Sequence, residues 1–300
     1  MTFRDNGPLD TSSVSAGGGG MGRGVMIGGG GIGTVIIGLL IYFLTGSTGG
    51  DPNSAAPAGP AGVGSGATAG QAEQELNKHI QSCTPQLANT DTTCRIVATS
   101  NSLNAVWAEL LRGYTKPAGV KIMPVGAQSI NTACGVASAD TGPFYCPADR
   151  VAVFQLDFMD RVITRMGGSN AAFSQEYIVA HEWGHHIQTL LGDIKNSQRG
   201  SGAQGGSVRT ELQADCYAGI WASKADKGPN AMLDPLSQQD IAGALQTAQA
   251  IGDDTIQRNA GRNPNPESFS HGTSAQRVKW FTTGYRTGDI RQCDTFSGAI

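Results

Sequence analysis

The sequence predicts an α+β fold, mostly helical with a small sheet. Three observations carry that expectation. Past about residue 70, several stretches repeat apolar side chains at helical spacing, as in "NSLNAVWAELLRGY" and "SQEYIVAHEWGHHIQTLLG". Between residues 120 and 158 the runs are shorter and richer in β-branched and aromatic residues. Ahead of both, the first 70 residues or so are dominated by Gly, Ala, Ser, Thr and Pro, which cannot build a core. The roughly 230 residues that remain suffice for one substantial domain. The net charge of −3 is nearly balanced and no basic stripe stands out, so nucleic-acid binding has no support.

Residues 1–24 read as a disordered cytoplasmic tail. Residues 25–44, "VMIGGGGIGTVIIGLLIYFL", contain no charge and are long enough for one transmembrane helix. A cleaved signal peptide fits less well, because its polar N-region would be long and no small-x-small site follows Leu44 at once. A buried helix fits least, since glycine is a poor helix former in water. Arg4 and Arg23 precede the span and the next basic residue after it is Lys78, which orients the N-terminus to the cytoplasm and the domain outside. Residues 45–70 read as a flexible Gly/Ala/Pro-rich linker, with an end-to-end distance on the order of 30 Å. Residues 71–300 are then the folded domain.

Within that domain, "AEQELNKHIQSC" and "NSLNAVWAELLRGY" read as helices, the second capped by Asn101 or Ser102. "VKIMPVGAQSI" reads as a strand, which Pro124 assigns to a sheet edge. "GPFYCPADRVAVFQLDFMDRVITRM" begins extended and turns helical. Ser174 can cap the next helix and Gly192 can end it. After the loop "NSQRGSGAQGGS", a helix follows at "SVRTELQADCYAGIWASKAD", with Ser207 or Thr210 near its start. Another follows at "SQQDIAGALQTAQAIG", where Ser237 and Asp240 are spaced as a capping box. The stretch from Ser270 to Cys293 reads as a short helix and a loop.

All six cysteines (Cys83, Cys94, Cys134, Cys146, Cys216 and Cys293) follow the apolar span, and none forms a C-x-x-C pair. An even number on one side of a membrane suggests disulfides in an oxidising compartment; the alternative is six buried free thiols. Short loops close most readily, which favours Cys83–Cys94 and Cys134–Cys146 and leaves Cys216–Cys293.

The chemistry concentrates at "VAHEWGHHIQ", residues 179–188, which holds three of the five histidines. On a helix His181 and His185 stack on one face and can aim both rings at one ion. Glu182 lies about 100° round the helix, placed to reach a water without being a ligand itself. This is the H-E-x-x-H arrangement of zinc hydrolases. A bland reading, a polar helix face with satisfied histidines, would bury imidazoles and a carboxylate without partners, which is costly. A catalytic zinc needs a third protein ligand. The residue six after His185 is Leu191, which excludes the longer pattern that ends in a third histidine. "ELQAD" instead offers Glu211 as the ligand and Asp215 as a hydrogen-bond acceptor behind a zinc histidine.

The chain resembles the bacterial neutral zinc metallopeptidase family of membrane-anchored H-E-x-x-H proteins. The resemblance rests on the glycine-rich N-terminus running into the span, "GPFYCPAD" at 142–149, "HEWGHHIQ" at 181–188 and "ELQADCYAG" at 211–219. It continues through "AIGDD" at 250–254, "SHGTSAQR" at 270–277 and "CDTF" at 293–296. It implies a zincin-like metallopeptidase domain with Glu211 as third ligand, and a strand near "GPFYCP" along which an extended peptide lies. The pattern is also similar to HtpX-type membrane peptidases, in which a late histidine and arginine follow the zinc site. His271 and Arg277 keep that separation but lack the intervening prolines. The resemblance suggests an oxyanion donor at His271 and a supporting role for Arg277.

Other residues read more plainly. His186 points away from His185 and reads as structural or surface, His79 has no assigned role, and Trp183 and Trp221 read as core. Asp253 and Asp254 read as a solvated turn, with a calcium or supporting role as the alternative. Tyr145 and Tyr177 are candidate donors to a tetrahedral intermediate. The expectation is a membrane-anchored peptidase with one zinc per chain, held by His181, His185 and Glu211, with Glu182 as general base and a peptide or protein as substrate. A zinc amidase acting on cell-wall peptides would use the same residues. A non-catalytic envelope binding module is the remaining alternative, and it gives no reason for an intact Glu182.

Overall fold

In the computed structural model, which describes residues 2–18, 65–138 and 141–300, the first regular element lies in the segment that reads as a disordered tail. It is strand β1 (Val14–Ala16). Helix α1 (Ser65–Gln81) and, after a short turn at Pro85–Ala88, helix α2 (Thr92–Leu110) follow. Then come β2 (Gly119–Met123), β3 (Ser129–Thr132), β4 (Gly135–Ser138), β5 (Phe144–Cys146) and β6 (Val151–Gln155). After a short helical stretch at Phe158–Arg165, the longer helices are α3 (Ala172–Leu191), α4 (Gly206–Lys224), α5 (Gln238–Ala250), α6 (Asp253–Asn259) and α7 (Ser274–Thr287). The fold is α+β, mostly helical with a small sheet.

The main sheet runs β1-β2-β6-β5. β1, β2 and β6 are mutually parallel, and β5 pairs antiparallel with β6 at the far edge. β3 and β4 form a separate two-stranded hairpin. β2 therefore sits inside the sheet, not at its edge as Pro124 suggested. The strand stops at Met123, so the proline falls just beyond it and removes no ladder hydrogen bond.

The N-terminal segment corrects a second expectation. Phe3, Leu9, Val14 and Ala16 are buried in the core. Asn89 and Asn77 accept hydrogen bonds from the backbone N–H groups of Phe3 and Ala16. Arg4 pairs with Asp234 and Lys116 with Asp10. Composition misleads here because four apolar side chains spread over fourteen residues are few, yet each enters a pocket the domain has already built. Among the described residues no helix is long and apolar enough to cross a membrane. The apolar segment 25–44 lies outside the described residues, as does most of the expected linker 45–70, whose last residues, 65–70, open α1.

Helix boundaries follow local chemistry. Asp91, not Asn101 or Ser102, caps α2, accepting from the N–H of Cys94 at 2.8 Å. α3 starts after Ala171 without a side-chain cap, so Ser174 lies inside it; Gly192 ends it with φ of 80°. Ser237 and Asp240 form the capping box on α5. Thr273 and Gln276 form another on α7, which starts at Ser274, three residues after His271. The disulfides are Cys83–Cys94, Cys134–Cys146 and Cys216–Cys293. α3 is almost wholly buried and packs against α2, α4, α5 and β5. Trp183 and Trp221 are core residues.

The docked tail is testable. Phe3→Ala removes a buried ring, at a cost of about 3 kcal/mol for a core phenylalanine. The variant should unfold at a clearly lower temperature by circular dichroism. An unchanged midpoint would show that residues 2–18 do not pack on the domain.

Candidate metal centre

α3 carries His181 and His185 one turn apart, with ring centroids 4.9 Å from each other. α4 brings Glu211 opposite them. The two helices approach closely because Gly184 faces the backbone of Ala214, and a Cβ at Gly184 would lie 2.8 Å from the Ala214 Cα. One Glu211 oxygen is 3.1 Å from His181 Nε2 and the other is 3.5 Å from His185 Nε2. One donor atom from each of the three residues falls within 4.8 Å of the others.

The remote nitrogens show that this donor set suits a cation. His181 Nδ1 is 2.8 Å from Asp215 Oδ1. His185 Nδ1 is 2.8 Å from Gln188 Oε1, one turn further along the helix. Both acceptors fix a proton on Nδ1 and turn the Nε2 atoms of the two rings toward Glu211. Gln188 is itself held, donating to the Thr210 carbonyl at 2.7 Å and to Gln213 Oε1 at 3.0 Å. Asp215 is fully buried and also accepts from Tyr177 at 2.5 Å and from Arg277 Nε and Nη2 at 2.8 and 2.9 Å.

These contacts set the charges. Burial works against ionised Asp215 and Glu211, yet Arg277 and the histidines hold both carboxyls low, Glu211 at about 2. Burial likewise opposes a charged His181, but the Asp215 carboxylate raises that ring to about 10, so a cation at Nε2 must displace a proton. Glu182 moves the other way. Burial raises its carboxyl, with the two histidines pulling it back. A raised carboxyl suits a group that takes up and returns a proton.

His181, Glu182, His185, Glu211, His271 and Arg277 all line one cleft, together with Phe144 and Tyr145 of β5. His271 is buried, with Nδ1 3.0 Å from Asp253 Oδ1. The other Asp253 oxygen accepts from the N–H groups of Ser270, His271 and Gly272 at 2.7, 2.7 and 2.9 Å. Burial pushes the Asp253 carboxyl up, but His271 and these N–H groups hold it below its ordinary value. His271 Nε2 is buried without a hydrogen-bond partner among the described residues. Asp253 is therefore no solvated turn: it clamps the His271 loop.

The remaining candidates have other partners. Tyr177 donates to Asp215 and Tyr145 to His186 Nδ1 at 3.0 Å, so neither hydroxyl is free for a tetrahedral intermediate. His186 also donates to the Thr115 carbonyl at 2.7 Å, tying α3 to β5 and to the loop before β2. Burial lowers this ring to about 4 and keeps it neutral, as the tautomer requires. Sequence reasoning passed over Gln188 and Gln213. Gln188 sits three residues after His185, and that spacing was the available signal; Gln213 had none.

The chain is similar to an uncharacterized protein of Mycobacterium tuberculosis, 50% identical over 218 residues that cover 71% of this chain and 73% of the relative. It is also similar to an uncharacterized protein of Escherichia coli K12, 42% identical over 176 residues covering 56% of this chain and 59% of the relative. No solved structure matches. Residues 4–296 match the family described as "Putative neutral zinc metallopeptidase", a stretch that takes in most of the docked tail, all five histidines and the last cysteine. The chain belongs to this neutral zinc metallopeptidase family.

Proposed function

We propose that the chain hydrolyses peptide bonds with one zinc ion held by His181, His185 and Glu211. One observation carries the reading: three donor atoms converge while both histidines have their remote nitrogens committed to acceptors. Zinc bound there supplies Lewis acidity, which acidifies water and polarises a carbonyl. Glu182 accepts a proton from the attacking water as the new C–O bond forms. It then returns that proton to the leaving nitrogen as the peptide C–N bond breaks. Asp215, fixed by Arg277 and Tyr177, holds the His181 ring. His271, fixed by Asp253, presents Nε2 to the cleft, where a proton on that nitrogen can be donated to the developing oxyanion. β5 is an edge strand lining the same cleft, which favours an extended peptide bound by strand addition in the zincin manner. The apolar segment 25–44 supports attachment to a membrane, and the docking of residues 2–18 favours a topology with tail and domain on one side.

Zinc binding and chemistry separate by mutation. His181→Ala, His185→Ala and Glu211→Ala should each lose zinc. Glu182→Gln should keep about one zinc per chain and lose hydrolysis, because an amide cannot accept the proton. Metal content by mass spectrometry and turnover of a peptide such as casein check this; normal turnover by Glu182→Gln would remove the general base.

Asp215→Asn and Arg277→Ala should weaken zinc about 10–100-fold, the usual cost of losing a partner behind a ligand. Competition with a chelator measures it, and unchanged affinity would mean that the buried pair does not orient His181.

His271→Ala should retain zinc and thermal stability while turnover falls about 10²–10³-fold, or ~3–4 kcal/mol. Asp253→Asn should lower turnover in the same direction with zinc retained. Loss of zinc from His271→Ala would make His271 a ligand and move Glu211 out of the set.

A further inference from the structure

A second group of metal-type donors lies where α1 hands over to α2. His79 stands in the last turn of α1, Cys83 just after it, Asp91 at the cap of α2 and Cys94 in its first turn. One donor atom from each of the four falls within 4.8 Å of the others. Cys94 Sγ is 4.0 Å from His79 Nε2, which is 3.0 Å from Asp91 Oδ1. Both cysteines are buried, while His79 and Asp91 are partly open to solvent, so the cluster has a dry floor and an accessible mouth. In the disulfide state the sulfurs are bonded to each other and offer no thiolate.

We propose that His79, Cys83, Asp91 and Cys94 form a second divalent-cation site of zinc type, available only when the Cys83–Cys94 disulfide is reduced. The reductant is a dithiol. It passes two electrons and two protons to the S–S bond and is itself oxidised to a disulfide. The two sulfurs then move from bonding distance to the ~3.7 Å that tetrahedral zinc–thiolate geometry demands. That movement is small beside the 5.1 Å that already separates the two Cα atoms. Zinc uptake releases the thiol protons, and His79 Nε2 and the Asp91 carboxylate then turn from each other to the cation. Cys94 lies at the N-terminal end of a long helix, where backbone N–H groups favour the thiolate. Two Cys, one His and one Asp complete four-coordination with no open position, the pattern of a structural zinc. α1 and α2 are thus tied together in both redox states, by a covalent bond in one and by a cation in the other. The site is independent of the His181 cluster, since its readout is the difference between redox states of one protein.

The experiment uses the full chain, oxidised or reduced with a phosphine under nitrogen, equilibrated with zinc and desalted. Metal per chain is measured by mass spectrometry. Reduction should add one zinc per chain. His79→Ala should weaken that added zinc at least tenfold in chelator competition, and Cys83→Ser/Cys94→Ser should abolish it. Maleimide labelling of the reduced chain, mapped by peptide mass, should show zinc protecting Cys83 and Cys94 selectively. No added zinc on reduction would overturn the proposal. So would added zinc that survives in Cys83→Ser/Cys94→Ser, or equal protection of all six cysteines, which would mark binding by an unfolded chain.

Discussion

A buried carboxylate, Asp215, organises the site. It has no solvent exposure and receives three side chains: Tyr177 and His181 from α3 and Arg277 from α7. An isolated charge in that position would be prohibitive, and an ion pair there is tolerated only with full hydrogen bonding. The Asp215–Arg277 pair meets that condition, with both carboxylate oxygens engaged. The consequence is geometric. Three helices must meet at one point, and the His181 ring has one permitted orientation.

The surrounding packing enforces the same meeting. Gly184 lets α3 approach α4 beside the zinc-type cluster. Gly219 and Gly284 do so where α4 meets α7, each facing backbone of the other helix. Cys216, next to Asp215, carries the disulfide to Cys293 and fixes the C-terminal segment on α4. Thr295 and Arg209 exchange hydrogen bonds across the same seam. On the other side, His186 ties α3 to the edge strand β5 through Tyr145, at 3.0 Å.

The docked N-terminal segment extends the sheet at the edge opposite β5. The chain's own tail thus supplies one edge strand, and β5, the other, lines the cleft.

The linear sequence by itself singled out His181, His185 and Glu211 as candidate metal donors and Glu182 as their neighbour, because H-E-x-x-H and E-x-x-x-D are local patterns whose helical spacing holds whatever the surroundings, and the fold brings the three donors together. It also determined the α+β class, the capping box at Ser237 and the C-terminal glycine of α3, all set within a few residues. The disulfides with short loops belong to the same category. Tertiary structure alone decided the rest. Asp253 reads as a solvated turn until the loop folds back and places His271 on its carboxylate, eighteen residues away. Gln213 gains its role only once α4 lies beside α3. The tail looks unable to fold because its few apolar residues cannot build a core, whereas they need only complete one. Local periodicity reports what a segment can become; which buried polar group meets which partner is settled by helices packing at a distance, where leaving any one unsatisfied costs more than the chain can spare.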